Sequence, residues 1–412
     1  MLGRRQFVTG LALGLGAVAG CSEGSEAEAP APASAPAGTP PKGQALSLTD
    51  LEDALTGASY LGCGGGGGLA EARKLIRDDI AAGRSFSMLP VERLRDKDRV
   101  ACPYGLASLA PTSPEMKARL DSFENLDTFP VLSSFEHLEQ HLGTRFAGVI
   151  LGEIGPLSLA EGLSIAARIG RPALDADTVG RAVPEINQHS VKVAGLPLTP
   201  IGGATPFRDR VVLSETGHPT RAEDMLRGLA VVSRELGVTD SPITGAEAKR
   251  TGTLVTGSLS LAMGIGAAVR QALAAGGDAI EAARLAGDGY TLFQGEVQDF
   301  NWRDEDGFLM GTLTVTGTGA FAGSTLLTDY KNEHLLARRD GEVIATCPDL
   351  ITVIDEETAD GINNPDFVRG QKVRVLGFRC DPLWRTPQGL EVFSPGYFGY
   401  DADYIPIEER LG

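Results

Sequence analysis

The spacing of apolar residues divides the chain into a front part that alternates strands with helices and a back part made of strands. Apolar positions between residues 69 and 82 recur at helical spacing. Residues 146–151 form a continuous apolar run that predicts a buried strand, followed by a helical pattern over 157–169 and a second strand over 172–175. Strand, helix and strand at this spacing predict a βαβ unit with a parallel pair of strands.

The pattern changes twice in the second half of the chain. Residues 220–236 predict one amphipathic helix, and residues 245–287 predict two or three more. After residue 296 apolar and polar residues alternate, so residues 296–406 are predicted to be all-β. The predicted fold is an α/β N-terminal domain with a parallel or mixed sheet, followed by a helical segment and a β-rich C-terminal domain. The pattern leaves open which domain the helices between 220 and 290 pack against. The predicted domains are 46–216 and 217–406.

The first 45 residues are predicted to export the chain and tether it. Two arginines at positions 4 and 5 precede an apolar run that is too short to span a bilayer comfortably. Small residues then lead into Cys21, as in a bacterial lipobox, so residues 1–21 predict a twin-arginine lipoprotein signal with lipidation at Cys21. Residues 22–45 are rich in Ala, Pro, Ser, Gly and Glu and predict a linker. We therefore expect an exported, membrane-anchored lipoprotein on the periplasmic or cell-surface side; the alternative is a plain membrane anchor.

The charge of the chain disfavours nucleic acid as a partner. There are 54 acidic against 37 basic residues, for a net charge of −17, and no basic stripe is visible. Four cysteines besides Cys21 have spacings that fit no zinc motif, and their pairing cannot be read from sequence. They are Cys63, Cys102, Cys347 and Cys380. A small molecule is the expected partner, and the oligomeric state stays open.

A run of five glycines, residues 64–68, follows Cys63 and precedes a predicted helix. Glycine lets backbone N–H groups converge in a turn, which binds anions or polarised carbonyl oxygens. No Lys-Ser/Thr pair follows to form a phosphate loop, so a nucleotide is disfavoured. We interpret Gly64, Gly65, Gly66 and Gly67 as substrate-binding; the alternative is a close-packed turn.

Cys63 lies just ahead of this predicted helix. Clustered N–H groups and a helix N-terminus lower the pKa of a thiol, which favours a nucleophilic thiolate. The alternative is that Cys63 is a small buried side chain that fills space.

Ionisable residues gather where the two parallel strands end. Glu153 follows one strand, and Asp175 and Asp177 end the next, so all three are expected in one crevice. Carboxylates with an imidazole serve as acid and base, or hold a divalent metal such as zinc, here through Asp175, Asp177 and His189. The alternative is that the aspartates cap a helix and pair with Arg181. Lys249 is a further candidate partner for the acids.

Several longer stretches resemble one known family. LGCGGGGG is similar to the LGTGGGG of the S-methyl thiohydantoin desulfurase family, formerly a domain of unknown function, whose relatives lie near hydantoinase and oxoprolinase genes. GEIGPLSLAEGLSIAARIGRPALDADTVGRAVPEIN, KNEHLLA and CPDLITVID also match in order. The resemblance covers residues 47–406. This chain has Cys63 where the family usually has Thr, and most relatives look cytoplasmic.

The resemblance implies an α/β domain followed by a β-rich domain, and a reaction in which water replaces the methylthio group of a thiohydantoin ring. The products are hydantoin and methanethiol. The motif residues that match by position, without individual roles, are Gly64 to Gly67, Glu153, Asp175, Asp177, Gly180, Arg181, Glu185, Lys249, Asn332 and Asp349.

The sequence thus predicts a hydrolase that acts on a small cyclic amide-like ring. The predicted catalytic residues are Cys63, Glu153, Asp177 and Arg181. The predicted substrate-binding residues are Gly64 to Gly67, Asp175, Glu185 and Lys249. The alternative is a lipid-anchored protein that binds a small polar ring compound without catalysis.

Overall fold

The computed structural model describes residues 41–107, 113–218 and 220–412. The predicted signal, its lipidation site Cys21 and most of the predicted linker lie outside these ranges. The end of the linker is an exception, because residues 44 and 45 belong to a strand that pairs with the first sheet. None of the helices in the described ranges has the length and apolar character needed to cross a membrane.

The first sheet is mixed and contains nine strands within the described residues. In chain order they are β1 Gln44–Leu46, β2 Phe86–Leu89, β3 Arg99–Ala107, β4 Gly148–Leu151, β5 Ala173–Asp177, β6 Ile201–Ala204, β7 Arg210–Leu213, β8 Glu235–Thr244 and β9 Val255–Thr256. The order in space is β1-β2-β5-β4-β3-β8-β6-β7, with β9 paired to β5. Four adjacent strands run parallel to one another, in the order β2, β5, β4 and β3. This confirms the predicted parallel pair, which is β4 and β5.

Helices cover both faces of this sheet. The helices of the described residues are α1 Leu48–Leu61, α2 Leu69–Ala81, α3 Pro114–Asp121, α4 Pro130–Leu142, α5 Pro156–Arg168, α6 Ser190–Val193, α7 Arg221–Ser233, α8 Gly245–Ala248, α9 Ser258–Ala274 and α10 Ala279–Ala286, with α11 Pro387–Val392 and α12 Ile407–Leu411 near the C-terminus. Val149 and Leu151 of β4 join the core under α1, α2, α5 and α9, whereas Ile150 joins the core under α7. Because successive side chains of a strand point to opposite faces, burial on both sides explains the continuous apolar run.

The predicted helix over 220–236 is wrong at its end. Helix α7 stops at Ser233, Arg234 adopts a φ of 72°, and β8 begins at Glu235. Strand β8 lies between β3 and β6 in the first sheet, and this pairing outweighs the local helical pattern. Helix α7 packs against β3 and β8, and α9 packs against β5 and α1, so these helices belong with the first sheet.

The second sheet is antiparallel throughout. Its strands are β10 Tyr290–Glu305, β11 Phe308–Gly317, β12 Thr325–Lys331, β13 Glu333–Arg339, β14 Glu342–Thr346, β15 Leu350–Asp355 and β16 Lys372–Phe378. They lie in the order β14-β13-β12-β11-β10-β16-β15. The β-rich prediction is confirmed, although α11 interrupts the stretch predicted to be all-β. This sheet meets the glycine run directly: the amide of His334 donates to the Cys63 carbonyl at 2.9 Å, and that of Asn364 to the Gly64 carbonyl at 2.8 Å.

Candidate active site

A cleft of about 670 Å³ lies where the glycine run meets the second sheet. On one side it is lined by Gly64 to Gly67, by Glu153 after β4 and by the first turn of α5. On the other side it is lined by Asn332, Glu333 and Asn364. A cavity of this size, formed by two different sheets, is the usual setting for a small-molecule site.

The glycines of this turn are required by backbone conformation and by space. Gly64, Gly66 and Gly67 have φ values of 82°, 70° and 77°, which side chains rarely adopt. Gly65 has an ordinary φ, but a Cβ there would lie 1.8 Å from Oε1 of Glu333. The bare backbone therefore lets a carboxyl group of the second sheet pack directly on the turn.

The same turn leaves backbone donors free. The Gly66 carbonyl accepts from the amides of Leu157 at 2.8 Å and Ser158 at 3.1 Å, which ties the turn to the start of α5. Within the described part of the chain, the amides of Gly66 and Gly67 donate to no protein acceptor. These two N–H groups are therefore available to a ligand in the cleft.

Glu153 lines the cleft, as the sequence predicted for an acid after β4. Its Oε1 accepts from Oγ of Ser158 at 2.7 Å, and its Oε2 accepts from the amide of Val183 at 2.9 Å. Burial raises the pKa of Glu153, and these two donors and the charge of Arg181 offset only part of that effect. Two hydrogen bonds to the carboxylate fix its orientation while one side of the residue remains exposed to the cleft.

Glu333 is the acid that the sequence reasoning missed. It begins β13, its residue is 3% exposed, and it lines the same cleft as Glu153. Burial and the nearby charge of Glu153 raise the pKa of Glu333 well above its ordinary range. Its Oε2 has no hydrogen-bond partner among the described residues. The sequence did contain one sign of this residue, because Glu333 is the acid that begins the apolar stretch EHLLA, and this stretch is part of the family resemblance.

The rest of the cleft is strongly acidic. Further lining acids are Glu161, Glu235, Asp304 and Asp366. Burial and the neighbouring Glu235 raise the pKa of Glu161 to about 8. Arg227 is the one cation among the described lining residues, and its Nε lies 2.8 Å from Oε1 of Glu223. Glu161 is therefore largely neutral near pH 7, but because the one cation of the described lining is paired with Glu223, the cleft still suits a neutral or positively charged ligand better than an anion.

The two predicted aspartates lie outside this cleft. Oδ2 of Asp177 accepts from the amides of Val179 at 3.0 Å and Gly180 at 2.7 Å, and burial raises its pKa to about 7. Asp175 accepts from the amide of Ser260 at 2.9 Å and from its hydroxyl at 2.6 Å, so it caps α9. The capping alternative therefore holds only in part: Asp175 caps α9 and not the next helix, Asp177 accepts from loop amides, and the hydrogen bonds of Arg181 within the described residues go to carbonyl groups.

Three other predicted residues also have structural partners away from the cleft. Arg181 is 1% exposed and donates to the carbonyls of Asp349 and His334, each at 2.9 Å, so it joins the two sheets. Glu185 pairs with Lys331 and accepts from Oη of Tyr397 at 2.6 Å. Lys249 pairs with Asp96 and donates to the Leu94 carbonyl at 3.2 Å. The structure does not bring these three side chains to the candidate substrate site.

The structure corrects the expected activation of Cys63. Its side chain is fully buried, and its Sγ contacts the Leu61 carbonyl at 3.3 Å. Burial raises the pKa of the thiol to about 11, and the nearby Arg181 offsets only part of this effect. The loss of hydration outweighs the helix N-terminus, so the thiol is not activated. The four cysteines of the described ranges are free thiols.

The predicted metal ligands do not come together. Asp175 and Asp177 have the partners described above, whereas His189 lies beside Cys102 and Asp240. In this second group one ligand atom from each residue lies within 4.8 Å of the other two.

The comparisons with known proteins give a family and a fold. A model described as S-Me-THD-like, N-terminal domain, matches residues 49–215, and one described as S-Me-THD-like, C-terminal domain, matches residues 217–407. A crystal structure of a protein from Chromobacterium violaceum is similar with a TM-score of 0.69 and 24% identity, over 88% of this chain and 99% of that one. That likeness shows a shared fold. A comparison with curated proteins found no match.

Proposed function

The chain belongs to the S-Me-THD-like family, and on this premise we propose that it hydrolyses an S-methyl thiohydantoin ring to hydantoin and methanethiol. The observation that carries the proposal is the pair of carboxyl groups, Glu153 and Glu333, beside a turn with free amides in one cleft. A binding protein for a neutral ring has no need of two enclosed carboxyl groups with raised pKa values. Hydrolysis does, because it needs a base for water and an acid for the leaving group.

The surroundings of the two acids assign them different protonation states. The Ser158 hydroxyl and the Val183 amide stabilise the ionised form of Glu153. Glu333 has an oxygen without a donor, and burial and the charge of Glu153 raise its pKa, which favours the protonated form. Two nearby acids whose environments separate their pKa values serve as base and acid. Glu153 is the proposed base and Glu333 the proposed acid.

The reaction balances with these two groups and water. Glu153 takes a proton from water as the oxygen bonds to the ring carbon that carries sulfur, and that proton passes to the ring nitrogen. The carbon–sulfur bond then breaks, and Glu333 protonates the sulfur to release methanethiol. Glu333 regains its proton from the new hydroxyl group as the carbonyl forms. The two protons of water therefore end on the ring nitrogen and on sulfur.

The glycine turn would hold the ring during these steps. The free amides of Gly66 and Gly67 are proposed to donate to a ring carbonyl oxygen, where they would stabilise negative charge. Donors of this kind typically contribute about 10²–10³-fold in kcat. Because the turn carries no side chains, its backbone is open to a flat ring, and the carboxyl group of Glu333 lies directly beside it at Gly65.

Thiol release from S-methyl thiohydantoin by the purified protein tests this function, with and without a chelator. S-methyl thiohydantoins that carry a cationic, a neutral or an anionic side group elsewhere on the ring should be compared. The carboxyl groups of the cleft predict the lowest kcat/KM for the anionic compound. Release of methanethiol supports the proposal, and chelator sensitivity decides whether turnover needs a metal. Saturable binding with the ring returned unchanged would instead support the non-catalytic receptor.

Replacement of the buried carboxyl group of Glu333 by an amide tests its proposed role as the acid. Glu333→Gln is expected to lower kcat about 10²-fold or more, since the proton donor is lost. Glu342→Gln is the matched control, because Glu342 is an exposed acid of the adjacent strand β14. Equal activity of the two variants would remove Glu333 from the mechanism.

A further inference from the structure

Three side chains of metal-ligating types meet at the first sheet, outside the lining of the main cleft. Cys102 of β3 and Asp240 of β8 are direct cross-strand partners, and His189 precedes α6 as its N-cap. Cys102 and Asp240 are 0% exposed and His189 is 4% exposed. Three separate parts of the chain thus converge on one enclosed point.

The backbone is shaped to bring these groups together. The β3–β8 pairing contains a bulge between Val100 and Cys102, where Ser241 adopts a φ of 50°. A bulge re-aims the side chains next to it, and a positive φ at a serine is uncommon. Nε2 of His189 lies 3.3 Å from Oδ1 of Asp240, and Sγ of Cys102 lies within 4.8 Å of one ring nitrogen of His189 and one carboxylate oxygen of Asp240. These separations suit ligands that share one tetrahedral ion.

The group is short of positive charge and of donors. Oδ2 of Asp240 accepts from Oη of Tyr104 at 2.8 Å, but Oδ1 has no hydrogen-bond partner among the described residues. Nε2 of His189, which carries the ring proton while Nδ1 accepts from Val191, lies 3.3 Å from this oxygen without forming a hydrogen bond. Burial, together with the charges of Asp240, Asp177 and Glu153, raises the pKa of Cys102. A fully buried carboxylate with an unpartnered oxygen is costly unless a cation balances it.

We propose that Cys102, His189 and Asp240 bind a zinc ion. One thiolate, one imidazole and one carboxylate form a donor set that favours zinc over magnesium or calcium, which take oxygen ligands. Binding releases the thiol proton, so affinity rises with pH. Tyr104 holds the second oxygen of Asp240 and so positions this ligand.

A small cavity adjoins His189, although its lining does not include Cys102 or Asp240. This cavity of about 80 Å³ is lined by His189, Tyr104 and Thr178, and shares Glu153 and Ser158 with the main cleft. Water in this cavity would complete the fourth position of the ion. The proposal stands on these residues alone and does not depend on the reaction proposed above.

Zinc binding requires two changes at His189, the first of which is loss of the contact between its Nε2 and Oγ of Ser241 at 3.5 Å. The second concerns Nδ1 of His189, which accepts from the amide of Val191 at 3.3 Å, a long distance for a hydrogen bond. When Nε2 binds the ion, a neutral ring carries its proton on Nδ1. The Val191 contact is then given up, and a metal-loaded structure should show the ring turned from that amide.

The metal content of the full chain, expressed with added zinc and freed of any affinity tag, tests the proposal. We expect about one zinc ion per chain by elemental analysis. Cys102→Ala and Asp240→Asn should lose it, whereas Cys347→Ala, which changes another buried free cysteine, should retain it. Tyr104→Phe should weaken zinc binding about 10- to 100-fold.

Cobalt gives a second measurement on the unchanged protein, in case a variant fails to fold. Cobalt bound through Cys102 should produce a thiolate-to-metal charge-transfer band that added zinc removes. A wild-type protein that contains no zinc and develops no such band would overturn the proposal. Full zinc occupancy in a folded Cys102→Ala variant would overturn it as well.

Discussion

Two carboxyl groups at the ends of neighbouring parallel strands differ in their access to the cleft. Glu153 follows β4 and remains open to the cleft, whereas Asp177 ends β5 and is 0% exposed. Burial raises the pKa of both, to about 7 for Asp177. A raised pKa therefore shows that a carboxyl group is buried. The group is a candidate catalytic residue only if it also lines a cavity that a substrate can enter.

The sharpest test of this contrast is the loss of the open carboxylate. Glu153→Gln is nearly the same shape but cannot take a proton, so kcat for thiol release should fall about 10²–10⁴-fold. Thermal unfolding should show the fold intact. The base assignment is wrong if this variant keeps the activity of the Glu342→Gln control.

The glycine turn beside Glu153 gives the next largest effect. Gly65→Ala places a Cβ 1.8 Å from Oε1 of Glu333, so the carboxyl group must move. We expect kcat to fall about 10²-fold, as when a group that acts in the transition state is misplaced.

Gly228→Ala is the control for this substitution, since Gly228 lies within α7 and a Cβ there meets no atom within 4 Å. It should leave kinetics unchanged and stabilise the helix by about 1 kcal/mol. Unaltered turnover in Gly65→Ala would mean that Glu333 does not need its present position.

Replacement of the buried Asp177 should affect the stability of the protein more than its turnover. The pKa of Asp177 is about 7 in the folded protein and 3.8 in its ordinary state, so the folded form keeps a proton that the unfolded chain loses. Its contribution to stability therefore falls as pH rises from about 4 to 7 and is constant above that range. Asp177→Asn lacks this dependence.

The measurement is the difference in unfolding free energy between Asp177→Asn and wild type at several pH values. Between pH 4 and 7 the unfolding free energy of the variant should rise relative to that of the wild type by a few kcal/mol, on the order of 1.4 kcal/mol per pKa unit. Turnover should change less than about 10-fold. A kinetic loss equal to that of Glu153→Gln would contradict the contrast drawn between the two acids.

The smallest effect is expected at Cys63. Its thiol is buried, and burial raises its pKa to about 11, so it is not a nucleophile in this structure. Cys63→Ser, which changes only the sulfur to oxygen and can keep the contact with the Leu61 carbonyl, should keep kcat within about threefold. A stopped-assay comparison of methanethiol release is sufficient. Loss of turnover with an intact fold would restore the covalent mechanism.

Much of the fold could be predicted from local patterns. The β4–α5–β5 unit, the later helices and the strands of the second sheet follow from hydrophobic periodicity. The helix over 220–236 was too long because Glu235 and Leu236 have a pattern that suits either structure, and pairing with β3 decides it. The candidate site was only partly predictable. Glu153 was found because it follows a strand, whereas Glu333 begins a strand of the other sheet and reaches the cleft only through docking.

The sequence by itself determined the elements, the bare turn at residues 64–68 and the set of acids near it. Local spacing fixes these features, because helical and strand periodicity and glycine conformation depend on neighbours in the chain. Only the tertiary structure decided which acids share a cavity: it directs Asp175 to α9, Asp177 to backbone amides and Glu333 to Gly65. Contacts between residues far apart in the chain set burial, and burial sets the charge state of each group.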